Sequence, residues 1–246
     1  MANNIALAKK YVDLLDEVYR VNALTSILDS DMSLSRAGAN TNEIVIPKIS
    51  MDGLADYSRN SGYVSGDVAL SWETVKFNYE RGRMFTVDVM DDEETQNVAF
   101  GRLAGEFMRN KVVPEIDAFR FAQYAGTAGI STTAGADLAD GSAVLSAITA
   151  GMSKMDEDEV PQEGRILFIT PTLARMVEAL DTNKSREVLA GFSQIIRVPQ
   201  SRFYTAIDLY DGTTNGETAG GYVKNANAKN INFMIIEKSA LLQYTK

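Results

Sequence analysis

The densest candidates for chemistry are two runs of carboxylates, Asp91-Asp92-Glu93-Glu94 and Asp156-Glu157-Asp158-Glu159. Paired carboxylates can serve as general acid and base, or as oxygen ligands for a hard cation. Neighbours within one helical turn point in different directions, however, and rarely converge on one atom. The first run stands where a helical pattern begins, a place where carboxylates cap free N–H groups and complement the helix dipole. The second reads as a solvated helix end. A third oxygen-rich set, Asp208, Asp211, Asn215 and Glu217 around Gly212, is a calcium-loop composition without the EF-hand spacing. The chain has no His and no Cys, which removes Ser-His and Cys-His catalysis, His–metal and thiolate sites, and disulfides together. Neither a phosphate-binding Gly-Lys loop nor a dinucleotide-binding Gly turn is present. The expectation is therefore no catalytic residue, no cofactor, no metal, and no enzymatic role.

Cationic chemistry is limited to scattered arginines. Arg59, Arg81, Arg83 and Arg102 carry guanidinium forks suited to bidentate pairing with carboxylates. With 24 Lys and Arg against 33 Asp and Glu, a net charge of -9, the surface is not built to neutralise phosphates. The expected partners of these arginines are carboxylates of other chains rather than DNA.

The elements that must position these groups follow from periodicity. In residues 5–21 the apolar Ile5, Ala8, Val12, Leu15 and Tyr19, flanked by Leu7, Tyr11, Leu14 and Val18, form the stripe of an amphipathic helix. Its mixed-charge opposite face argues for docking on protein, not on a membrane surface. Residues 33–42 are small and polar, a linker. Glu43 to Ile49 is β-branched, with Pro47 confining it to an edge or bulge. Residues 50–67 have turn chemistry and too few apolar side chains for a core, so they should project as a loop. The chain returns through Val68, Leu70 and Trp72, then shifts parity to Val75, Phe77 and Tyr79, giving a strand apolar on both faces. Two such arms around a polar excursion, with the only Trp on the returning one, suit contact with other subunits as well as an ordinary hairpin on its own domain.

Phe85, Val87 and Val89 then alternate as a second half-buried strand. A helix is expected from the acidic run to about Ala125, spanning roughly 50 Å if unbroken and bent at Pro114. Residues 126–141, rich in Gly, Ala, Ser and Thr, mark the best boundary. After them come a helix through Val144, Ile148, Met152 and Met155 closed by Val160-Pro161, and a buried strand, residues 165–169. A helix capped by Thr170 with Pro171 at its first position follows. A strand-like stretch over 193–207, a loop over 211–221 and a buried strand at 231–236 complete an α+β region. No signal peptide pattern opens the chain and no run of about 18 apolar residues occurs, so a soluble protein made in a cytoplasm, without membrane association, is expected.

In this order the parts resemble a Hong Kong 97-type major capsid protein of a tailed bacteriophage. The resemblance is carried by Ile46-Pro47-Lys48-Ile49, by Trp72-Glu73-Thr74 onward to Glu80-Arg81-Gly82-Arg83, by Val87-Asp88 to Glu94, by Val112-Val113-Pro114-Glu115-Ile116-Asp117, and by Arg202-Phe203. It covers nearly the whole chain, through long-range patterns and not a catalytic signature. It implies an N-arm with its linker at 1–35, a P-domain with a spine helix at 36–49 and 81–130, an extended E-loop at 50–80, and an α+β A-domain at 131–246. Function would be assembly of hexamers and pentamers into the icosahedral virion shell, formed in the host bacterial cytoplasm around DNA that is enclosed without sequence-specific contacts. The resemblance further implies a portal, a separate scaffolding protein in place of an N-terminal extension, and a P-domain left incomplete at Lys246. Contacts between subunits would fall on Arg59, Trp72, Phe77, Arg81, Arg83, Tyr11 and Leu15. Lys48 and Lys76 lie near the loop, but no partner Asn aligns with them, so crosslinking is not expected. An encapsulin-like compartment shell is the alternative of the same fold, and a carboxylate- or metal-dependent enzyme the alternative of another class.

Overall fold

The computed structural model describes residues 23–30, 36–37, 43–60, 62–85, 98–133 and 135–244. The expected N-terminal helix, the helix-capping role of residues 91–94 and the strand core Val87–Val89 lie outside them. The chain divides into two compact units, Ser30–Thr86 with Tyr244–Lys246, and Met1–Asp29 with Val87–Gln243.

The smaller unit is a three-stranded sheet in the order β1-β2-β3, where β1 is Arg36–Ala37, β2 Glu43–Met51 and β3 Val68–Lys76. Strands β2 and β3 are antiparallel, in register from Glu43 opposite Lys76 to Met51 opposite Val68. The ladder extends one step further, through Asp52 N–H to the Asp67 carbonyl at 3.2 Å and Asp67 N–H to the Asp52 carboxylate at 2.8 Å. Among the described residues, strand β1 pairs with Ile44 and Val45. Phe77 and Tyr79 fall beyond the end of β3, which stops at Lys76.

The larger unit is mixed α+β. Its first helix among the described residues, α1, is Val98–Phe107; a π-helical turn, Met108–Val112, leads into α2, Val113–Gly126. Pro114 has no N–H to give the Asn110 carbonyl, and the wide turn sits immediately before it. Helical winding thus widens over Met108–Val112, just before the expected bend at Pro114. Next come α3, Gly141–Glu157, capped by the Asp140 side chain on Ala143 N–H at 2.8 Å, and β4, Arg165–Ile169. Helix α4, Pro171–Glu178, has Thr170 at its N-cap and Pro in its first turn as expected, but the Thr170 side chain makes no capping bond. Helix α5, Asn183–Ala190, opens with a capping box between Thr182 and Ser185. The stretch expected as one strand over 193–207 is β5, Gln194–Arg197, then a 3-10 turn, Gln200–Arg202, and the first residue of β6, Ile207–Tyr210. Strand β7, Gly221–Lys224, pairs with β6 as an antiparallel ribbon, and β8 is Phe233–Glu237.

The central sheet has the order β5-β4-β8, with β4 parallel to β5 and antiparallel to β8. Side chains alternate across a strand, so β4 serves two cores. Ile166 and Phe168 join Phe121 and Tyr124 of α2, Leu28, Val198 and Phe203 on one side. Leu167 and Ile169 join Val144 and Ile148 of α3, Leu173 and Val177 of α4, and Phe192 on the other. Phe121 meets Phe168 at 5.3 Å and Phe203 at 4.8 Å between ring centroids, both edge-on, the favoured aromatic geometry. Helix α2 and β4, on either side of residues 126–141, share this core, and the two compact units divide at Asp29/Ser30 and Thr86/Val87.

Candidate assembly surface

The β2–β3 register sorts the hairpin side chains by face, because directly opposed residues of an antiparallel pair lie on the same side. One face carries Met51 with Val68, Ile49 with Leu70, and Pro47 with Trp72, then Val45 with Thr74. In a single chain this apolar row is open: Met51 is 71% exposed, Val68 72%, Leu70 58% and Trp72 45%. The opposite face places Ile44, which is buried, against Val75, which is 42% exposed. Each face also carries one ion pair, Lys76 with Glu43 at 3.9 Å on the face of the apolar row and Lys48 with Glu73 at 4.0 Å on the opposite face. The Lys48–Glu73 pair is largely solvated and adds little stability, whereas in the other pair an exposed Lys76 meets a mostly covered Glu43. Both pairs help to fix the strand register, because mismatched charges oppose a slip.

At the far end the excursion closes on itself. Ser58 and Gly62 exchange backbone hydrogen bonds at 3.1 and 2.7 Å, and Gly62 adopts φ +76°, a conformation natural only to glycine. The Tyr57 and Tyr63 rings lie 4.9 Å apart beside this turn, and Leu54 is fully exposed. Arg59 occupies the turn itself and is exposed. Trp72 is in the middle of the apolar row, while Phe77 is half-buried and Arg81 and Arg83 are exposed beyond β3. The hairpin thus places Arg59, Trp72, Phe77, Arg81 and Arg83 in one unit but not in one cluster: Arg59 is at the tip, the others at mid-strand and base. Tyr11 and Leu15 lie outside the described residues.

The carboxylate candidates resolve differently. Asp156 is not merely a solvated helix end. Its carboxylate meets the Arg165 guanidinium at 2.7 Å, and Arg165 is 1% exposed. Arg165 also donates to the Pro161 carbonyl at 2.9 Å and the Val160 carbonyl at 2.5 Å, so a buried cation ties β4 to the end of α3. The reversal needed for this uses Glu159 at φ +56°. Asp211 accepts from the Thr214 hydroxyl at 2.6 Å and from Thr214 and Thr213 N–H at 2.8 and 2.7 Å. These bonds, led by the Thr214 hydroxyl, hold its carboxyl well below the usual carboxylate range. Asp208 accepts from the Asn225 amide, and Glu217 from Asp211 N–H. That loop is satisfied by its own donors. Among the described residues, no group of three or more acidic side chains is placed to hold a metal ion, and no helix is long and apolar enough to cross a membrane.

Sequence periodicity did not point to Arg165, since an Arg at the head of an apolar strand carries no signal of burial. No family model, curated protein or solved structure matches this chain.

Proposed function

We propose that this chain is a structural shell subunit, a major capsid protein of a tailed bacteriophage with the Hong Kong 97-type fold. In this reading residues 50–80 are the E-loop, α1 and α2 form the spine helix of the P-domain, and residues 131–246 are the A-domain. The observation that carries the reading is the open apolar row Met51/Val68, Ile49/Leu70 and Pro47/Trp72 on the β2–β3 hairpin. Isolated hairpins are marginal in water, and contiguous exposed apolar patches mark association surfaces. An icosahedral shell supplies the partner in the form of the next copy. Copies would assemble as hexamers and pentamers around DNA, with a separate scaffolding protein and a portal. Loop arginines Arg59, Arg81 and Arg83 would meet carboxylates of neighbouring copies, in keeping with the net charge of -9.

The test is electron microscopy of the full chain expressed with and without a scaffolding protein. Closed particles of uniform size are expected in at least one condition; a monomer in both would overturn the reading. Deleting residues 51–66 should leave a folded chain that cannot close shells, and normal particles from that deletion would count equally against it.

A further inference from the structure

Residues 23–29 are the last of the larger unit before the chain enters the Ser30–Thr86 unit, and their polar hold converges on one side chain of α2. Asp117 is fully buried. Its Oδ1 accepts from the Thr25 N–H at 3.1 Å and the Thr25 hydroxyl at 2.8 Å. Its Oδ2 accepts from the Leu24 N–H at 3.1 Å and from the Arg202 guanidinium at 3.2 Å. Thr25, also fully buried, accepts at Oγ1 from Arg120 at 3.0 Å and at its carbonyl from the Gln243 amide at 3.1 Å. Arg120 reaches on to Asp29 at 3.4 Å. The apolar hold is Leu28 in the core beside Phe121, with Leu24 and Ile27 half-buried around it. The 3-10 turn Ser26–Leu28 leaves the amides of Leu24 and Thr25 without a helical partner, so the Asp117 carboxylate stands where a backbone acceptor would.

We propose that Asp117 is the lock of a releasable strap. The carboxylate pins residues 23–29 onto α2; its loss frees the strap while the β5-β4-β8 core stays folded. The reasoning is one of concentration. Three strap donors and one guanidinium share the two oxygens of Asp117, so one group carries the densest part of the polar attachment, beside the Arg120 and Gln243 contacts to Thr25 and Asp29. No residue of β4 or β8 is among the groups bonded to it. Proteins open locally where the hold is local, without global unfolding. The inference stands whether or not the chain builds shells.

Asp117→Asn keeps the shape and removes the lock. Whichever way the amide turns, its NH2 faces donors, either Thr25 N–H or Leu24 N–H and Arg202. Thr25→Val is the gentler variant, removing the hydroxyl's bonds to Asp117 and from Arg120 and leaving the Asp117–Arg202 pair. The experiment is hydrogen–deuterium exchange of the full chain, followed by mass spectrometry of peptides covering residues 23–30 and the β4 strand. In Asp117→Asn the strap amides should exchange at least about tenfold faster, as expected for loss of hydrogen bonds to a charged group, with β4 unchanged. Thr25→Val should shift the strap in the same direction by less. Unchanged strap exchange in either variant would overturn the proposal, and so would equal acceleration of strap and β4. If Asp117→Asn does not fold, the lock is not local and the proposal fails.

Discussion

Strands β4 and β3 have similar chemistry and opposite surroundings. In β4, Arg165–Ile169, every residue is buried, whereas in β3, Val68–Lys76, every residue is exposed. Both place apolar side chains on each face. Strand β4 has helices over both faces in its own unit, α2 on one side and α3 with α4 on the other. The described residues of the hairpin unit contain strands and turns but no helix. Apolar alternation alone therefore does not decide whether a strand is covered within its own unit. In β4 the cover is supplied by its own unit; for β3 the proposal is that another copy supplies it.

Truncations break this contrast most sharply at the centre of the buried core. Phe168→Ala should cost about 3–5 kcal/mol of unfolding free energy, read from urea midpoints, because it empties the edge-on contact with Phe121. A loss below about 1 kcal/mol would mean that β4 is no better packed than β3. Gly141→Ala comes next. A Cβ there would stand 2.2 Å from the Met176 carbonyl oxygen and 2.9 Å from Leu180, and forcing α3 away from α4 should cost about 1–3 kcal/mol. Thermal unfolding of this variant matching the parent would show that the two helices are loosely seated. Thr182→Ala, which removes the α5 capping box, should cost about 1 kcal/mol.

Acid provides a further comparison. Burial raises the Glu237 carboxyl, but hydrogen bonds from the Ser239 hydroxyl and N–H and the Ala240 N–H, with the Arg165 charge, outweigh it and hold the group below its ordinary value of 4.5. The folded state then binds the proton less well than the unfolded state. Stability from this group is complete above pH 4.5 and disappears as pH falls through the lower native value. Urea midpoints of Glu237→Gln should accordingly fall less steeply below that pH than those of the parent; identical slopes would remove Glu237 from the acid response. The smallest effect is expected at Trp72→Ala, within about 0.5 kcal/mol in the lone chain, as for other surface positions, together with impaired particle formation.

Much of this arrangement was legible in the sequence. The two hairpin arms, the Pro171 helix start and the buried strand at 165–169 follow from alternation and from the backbone chemistry of Pro. Helix α5 was not legible. Its sequence, Asn183-Lys184-Ser185-Arg186-Glu187-Val188-Leu189-Ala190, is mostly polar, and its buried residue is Ser185, so no apolar stripe announces it. The β6–β7 ribbon was hidden because its arms are four residues each and bracket a loop rich in Gly and Thr. The buried Arg165 depends on Asp156, nine positions earlier and across a left-handed Glu159, a geometry that residue spacing does not encode. Composition likewise gave no sign that Asp117, within a helix, would hold residues 24 and 25.

The central claim is that the open apolar row of the hairpin is covered by another copy. Its most direct test is light scattering with electron microscopy on the chain carrying Leu70→Asp and Trp72→Asp together, beside the parent under the same expression conditions. The account predicts closed particles from the parent and a folded, monodisperse monomer from the variant, with matching circular dichroism. Particles of the same size and yield from both chains would contradict it.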